Sequence, residues 1–214
     1  MLIHTITAHT LEDAWFKCIC AVADDGYEYT IDKGSYEGAK RKELDMVTIH
    51  VKQPHVRPLA PITMQGVPSP TTDEEIEKYL IYLMTSEKQK NEQYTYGEDL
   101  APQIEEVISR YKRFGYENNQ LTMSVGNRDS IFLEHSQCLR LVDTRIRYGA
   151  LHFIVYFRSW DLYAGFPVNM GGLQLLKEYM ASQIGVHDGE IIAFSKGLHL
   201  YDHFWKLADM VRGR

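Results

Sequence analysis

The succession of hydrophobic periodicities predicts an α+β fold in which helices cover a large mixed β-sheet. Strand-like runs and amphipathic helical runs follow one another irregularly, without the βα alternation of a doubly wound fold. The 214 residues, 44% hydrophobic and 24% charged, suit one sizeable core, so residues 1–214 are read as a single domain. No internal repeat or low-complexity tract divides them.

Taken in order, LIHTITA reads as a strand and residues 10–23 as a helix. The polar, glycine-containing stretch DKGSYEGAKRKELD reads as a mobile loop, and MVTIHVKQ as the next strand. Pro54, Pro58, Pro61, Pro68 and Pro70 punctuate an extended segment, because each removes a backbone donor. TTDEEIEKYLIYLMTS opens with capping and acidic residues and becomes a helix. QYTYGEDL reads as a short strand or turn, APQIEEVISRYKRFG as a helix ending at Gly115, and QLTMSVGN as a strand. The apolar run ALHFIVYFRSWD predicts a long strand ending in a polar turn. Pro167 and Asn169 open the amphipathic helix NMGGLQLLKEYMASQIG, and IIAFSKGLHLY closes the pattern as one strand.

A formal net charge of −6 gives no broad basic surface for a nucleic acid polymer, so a small phosphorylated ligand held by a local arginine cluster fits better. Cys18, Cys20 and Cys138 form neither a metal-ligand nor a disulfide pattern, and no metal is expected. With no run of eighteen apolar residues and no signal-like start, the expectation is a protein of the reducing cytoplasm without a membrane partner.

Polar chemistry gathers where the strand of residues 150–161 ends. Arg158 can grip a phosphate bidentately, with the Ser159 hydroxyl and Asp161 carboxylate beside it. Asn169 carries an amide that offers a donor and an acceptor from one side chain, or else serves as a helix N-cap. His199 and Tyr201 alternate on a strand, face the same side and can share one ligand. Cys138, in HSQCLRLVDTRIR, has cationic neighbours able to lower a thiol pKa, although an isolated cysteine also serves as a small buried hydrophobe.

In order and spacing, Arg158, Ser159, Asp161, Pro167, Asn169, His199 and Tyr201, with Cys138 twenty residues before Arg158, resemble the nucleotide-binding core of thymidylate synthases, in the style of the shorter archaeal members. The resemblance covers residues 117–201. It implies that fold, a homodimer, and reductive methylation of dUMP to dTMP with 5,10-methylenetetrahydrofolate or a modified archaeal pterin. By the same resemblance, Cys138 adds to C6 of the pyrimidine, Arg158 and Ser159 hold phosphate, and Asn169 reads the base. His199 and Tyr201 bind the sugar, and Asp161 contacts the pterin. In related deoxycytidylate hydroxymethylases an aspartate stands at the Asn169 position, so the amide here points to uracil.

The family's early glutamate has no clear counterpart. Glu98 is preferred as the proton-handling acid over Glu77, because Tyr96 and Gly97 resemble the family's active-site tyrosine-glycine step. Asn118 and Asn119 stand where the common enzymes carry an arginine pair that crosses the dimer, so another cation must help neutralise the phosphate. Arg41 is the first candidate, ahead of Arg128, with Lys40 and Lys42 assisting. Leu139 and Asp143 depart from the common pattern, and the chain stops thirteen residues after Tyr201, short of the usual closing segment. The expectation is that another segment serves as lid or that water becomes the second reactant, as in a hydroxymethylase. A regulator that kept the site and lost turnover is the non-enzymatic alternative.

Overall fold

The structure, a computed structural model, describes residues 1–34, 36–88 and 94–214. Strand β1 (Ile3–Ala8) leads into α1 (Leu11–Asp25), whose first turn is capped by the Thr10 hydroxyl accepting from the Asp13 amide at 3.1 Å. β2 (Tyr27–Thr30), β3 (Lys40–Leu44) and β4 (Met46–Val51) follow. The stretch expected to be a mobile loop therefore contains a paired strand, and Ser35 within it lies outside the described residues. The charged run Lys40 to Glu43 disguised β3, which carries no apolar alternation although it lies between β2 and the buried β10.

Helix α2 (Asp73–Met84) begins with a reciprocal capping box between Thr72 and Glu75. Helix α3 (Tyr96–Phe114) starts five residues before the expected position. The YTYGEDL segment is its capped first turn, with Thr95 accepting from the Glu98 amide at 3.2 Å, and not a strand; Gln93 lies outside the described residues. β5 (Thr122–Ser124), β6 (Leu139–Arg147), β7 (Ala150–Phe157) and the short β8 (Trp160–Asp161) come next. Helix α4 (Gly165–Ile184) also starts early, at Gly165, with Pro167 in its first turn. The final predicted strand divides at Lys196–Gly197 into β9 (His187–Ser195) and β10 (Leu198–Tyr201), and α5 (Trp205–Val211) ends the fold.

The main sheet is mixed, in the order β1-β4-β9-β7-β6-β5, as the α+β reading requires. A second, unforeseen sheet runs β2-β3-β10-β8. On the main sheet one set of alternate side chains is buried, including Val47, Ile49, Leu151, Phe153, Val155, Ile191 and Ala193. Helices α1 and α4 pack on this sheet, and α2 packs on α3 and α4. The approach of α2 to α4 uses glycine: a Cβ on Gly172 would meet the Tyr79 ring at 2.4 Å, and one on Gly171 would meet Ile76 at 2.7 Å. The site lies where the C-terminal end of β7 hands the chain to the second sheet.

Candidate active site

Strands β6 and β7 form a hairpin that closes through Tyr148 and Gly149, both at positive φ. Folding the chain back about this turn brings residues twenty apart together at its far end. The Arg158 amide donates to the Cys138 carbonyl at 2.8 Å. The Arg158 side chain then wraps around the segment carrying the thiol, with Nη2 donating to the Ser136 carbonyl at 2.6 Å and Nε to that of Gln137 at 3.1 Å. Its Nη1 has no hydrogen-bond partner among the described residues.

A cavity of about 540 Å³ opens here, lined by Cys138, Arg158, Ser159, Arg41 and Tyr201 among others. Five of the residues chosen from sequence thus share one wall. Arg41 is not in a loop; it sits on β3, opposite Tyr201 of β10, and is half-buried. Its Nη2 lies 2.9 Å from Glu43 Oε2 and its Nε donates to the Tyr29 hydroxyl at 2.7 Å. Lys40 pairs with Glu28 at 3.1 Å and Lys42 lies over the Trp205 ring, so neither assists Arg41. Arg128 is exposed beside Asp129, and Asn118 and Asn119 are not part of the cavity wall. Lys33, Tyr36, Glu134 and His135 line the cavity and were missed. Tyr36 stacks on Tyr201 at 4.4 Å, but a lone tyrosine in a polar loop carries no sequence signal for that contact.

Burial raises the Cys138 thiol pKa, and the opposing Arg158 charge does not offset it. The sequence expectation of a lowered pKa is corrected on this point: of the cations, Arg158 alone acts on the thiol, and burial outweighs it. Around it stand tyrosines. Tyr96 is buried and its hydroxyl accepts from the Leu139 amide at 3.3 Å, next to the thiol. Tyr94 packs on Tyr96 at 5.8 Å, and both have raised pKa values, from burial first and then the neighbouring Cys138. Glu98 does not line the cavity; it is half-exposed and pairs with Lys88 at 2.7 Å. Glu77 is exposed on α2.

His199 is buried, and its Nδ1 lies 2.8 Å from the Gly197 carbonyl. Burial, with the Arg41 charge second, lowers its pKa to about 3, so the ring is neutral. A carbonyl partner requires the proton on Nδ1, which leaves Nε2 a pure acceptor, and that buried atom has no partner among the described residues. The ring lies 4.8 Å from that of Tyr201, edge to face.

Asp161 accepts from the Tyr163 amide at 3.1 Å and the Gly165 amide at 3.2 Å, fixing the turn into α4. Burial raises its pKa against those hydrogen bonds. Asn169 lies inside α4 and is not its N-cap; its Oδ1 accepts from the Trp160 indole at 2.9 Å. A separate cavity of about 420 Å³, between α1 and residues 62–64, holds none of these groups. Among the described residues, no three His, Cys, Asp or Glu side chains converge, and no helix is long and apolar enough to cross a membrane.

Residues 74–212 match the family described as thymidylate synthase. A Methanosarcina barkeri protein named "Putative thymidylate synthase" is 27% identical, covering 96% of this chain and 93% of its own length. One of the same name from Methanothermobacter thermautotrophicus is 26% identical over 97% of this chain and 98% of its own. Among solved structures, thermostable thymidylate synthase A from Bacillus subtilis shares the fold, with a TM-score of 0.74 at 16% identity, over 96% of this chain and 84% of that one.

Proposed function

The chain belongs to the thymidylate synthase family, and on that premise we propose that it methylates dUMP to dTMP through a covalent bond between Cys138 and C6 of the pyrimidine. The observation that carries this reading is the shared wall of Cys138, Arg158, Ser159, Arg41 and Tyr201. Arg158, Arg41 and the Ser159 hydroxyl neutralise and orient the phosphate, with Lys33 as a further cation. The His199 Nε2 lone pair accepts a hydrogen bond from a sugar hydroxyl, satisfying a buried atom that otherwise has no partner among the described residues. Asn169 donates to O4 and accepts from N3–H.

The Cys138 thiolate forms the Sγ–C6 bond and the C5–C6 π electrons move to C5 and O4, so C5 becomes the nucleophile. After C5 has taken the one-carbon unit and lost its proton, breaking the Sγ–C6 bond returns the thiolate. 5,10-Methylenetetrahydrofolate, or a related pterin, supplies the carbon and the hydride when bound. Asp161 suits such a ring, since its carboxylate accepts the Tyr163, Gly165 and Ala164 amides and, with about four lone-pair sites, keeps room for a pterin N–H. Tyr94 and Tyr96 stand beside the thiol, whereas Glu98 is engaged by Lys88, so we assign the tyrosine pair as the relay, a protonated hydroxyl taking up the C5 proton as it passes its own to water.

We place the enzyme in the cytoplasm, where Cys138 stays reduced, and read it as a homodimer. Support for the dimer comes from the main-sheet face opposite the buried one. Leu141, Tyr156 and Phe194 form one row across three strands, with Ile154 and Ile192 paired in the next, all only half-buried.

The test is incubation with dUMP tritiated at C5 and methylenetetrahydrofolate, followed by product mass. Tritium release with dTMP and dihydrofolate is expected, and Cys138→Ala abolishes it. Release with 5-hydroxymethyl-dUMP and tetrahydrofolate would replace methylation by hydroxymethylation. Bound nucleotide without release would overturn the enzymatic reading.

A further inference from the structure

The geometry points to Trp160 as the positioning residue that sets the base preference: its indole N–H locks the Asn169 amide in the orientation that takes a 4-oxo pyrimidine and refuses a 4-amino one. This rests on the placement of Asn169 at the base. An indole nitrogen can only donate, so the amide atom facing it must be the oxygen, and the observed Nε1 to Oδ1 distance is 2.9 Å. Amide orientation is otherwise ambiguous, because oxygen and nitrogen exchange by a half-turn; the indole removes that freedom.

Trp160 itself has little room to move. It is buried, stacked flat on Phe157 at 4.0 Å and against Phe166 at 4.6 Å. Its backbone amide donates to Gly197 at 2.8 Å, and it occupies β8 between Ser159 and Asp161. A rigid donor therefore holds Oδ1, while Nδ2 has no partner among the described residues and stays available as a donor. Asn169 and Asp161 both border Gly165, where an added Cβ would lie 3.7 Å from Asn169 Oδ1 and 3.3 Å from Asp161 Cβ.

Uracil matches this arrangement. Its O4 accepts from Nδ2, and its N3–H donates to the second lone pair of Oδ1. Cytosine presents an amino group and a bare N3, so it needs the amide reversed. Reversal would set Nδ2–H₂ against the indole N–H, two donors face to face in a buried site, with neither satisfied. Without the indole N–H, the amide can turn to suit either base.

The experiment is calorimetric titration of wild type and Trp160→Phe with dUMP and dCMP, with thermal melts to verify folding. Phenylalanine keeps an aromatic ring on Phe157 and Phe166 and removes the donor. The expected result is a wild-type preference for dUMP whose Kd ratio over dCMP falls about tenfold or more in Trp160→Phe, the scale of one unsatisfied buried donor. Phe166→Leu, which loosens packing but keeps the donor, leaves the ratio unchanged. If Trp160→Phe does not fold, benzothienylalanine at position 160, with sulfur in place of N–H, is titrated and the same fall is expected. An unchanged ratio in the donor-free variant, with tritium release from dUMP intact in wild type, overturns the inference alone. Wild type that binds neither nucleotide overturns it together with the functional reading.

Discussion

Burial and charge oppose each other at Cys138, and burial wins. On the proposed chemistry the attacking species is the thiolate, and its fraction in the free protein increases with pH throughout the neutral range. kcat/KM is accordingly expected to rise from pH 6 to 8, approaching about tenfold per unit. Arg158→Gln removes the charge that favours the thiolate and should move this limb to higher pH; a pH-independent kcat/KM would remove the thiol from the rate-determining chemistry. Tyr94→Phe is expected to lower kcat at least about tenfold and Glu98→Gln less than about threefold, since a positioned acid or base contributes ~10²-fold or more. His199 adds a stability signature. Its folded pKa of about 3 lies below the ordinary 6.5, so between those values the unfolded chain binds the extra proton. Stability from this source is full above pH 6.5 and is lost as pH falls toward 3. The melting temperature of His199→Asn should therefore fall less steeply between pH 6.5 and 4 than that of wild type.

Among the elements, the β6–β7 hairpin makes the sequence motif intelligible: the two-residue turn at Tyr148–Gly149, together with the one-residue register shift between Leu139 and Leu141, is what brings Cys138 beside Arg158 at an offset of twenty. The packing of α2 on α4 carries its own test. Gly172→Ala gains about 1 kcal/mol of helix propensity but drives a methyl into the Tyr79 ring, and overpacking costs ~1–3 kcal/mol. Tyr79 belongs to the tyrosine cluster near Cys138, 6.5 Å from Tyr96, so the shift also reaches the site. A net loss of up to ~2 kcal/mol is expected, read as a fall in melting temperature of up to about 8 °C; a raised melt would mean that α2 yields freely. Strands and helices with one buried face were legible in the sequence, because β1, β4, β7 and the Thr72-capped α2 carry periodicity and caps together. β3 was not, since Lys40 to Glu43 carry no apolar alternation although they pair with the buried β10, and neither was the break at Lys196–Gly197, where apolar pattern continues while the strand changes sheets. The starts of α3 and α4 were read late because Tyr96 and Gly165 look like turn residues, and tertiary packing decides them. At the site, Cys138, Arg158 and Ser159 were readable from spacing. Tyr36 and Glu134 come from segments whose position depends on the whole fold.

At the scale of the molecule, the main sheet has one face under helices and one without comparable cover. Leu141, Tyr156 and Phe194 lie side by side across β6, β7 and β9, Ile154 and Ile192 extend the apolar patch, and the His50–Glu190 contact at 2.8 Å lies on the same face. A two-fold axis through such a face lets one patch cover its own copy, and every substitution then acts twice in the assembly. Ile192→Glu places two carboxylates in that contact, and burying unpaired charge costs more than the patch gains from sheet-to-sheet packing. Sedimentation velocity on wild type is therefore expected to give a dimer, and on Ile192→Glu a monomer at the same concentration with unchanged far-ultraviolet dichroism. Lys196→Glu, an exposed change at the β9–β10 turn, should leave the dimer intact. Should Ile192→Glu sediment as wild type does, the copies meet through another surface, and the half-buried sheet face needs a different occupant. Should wild type itself sediment as a monomer, the phosphate must be neutralised within one chain, and Arg41 and Lys33 then carry with Arg158 the charge that the common enzymes take from a partner.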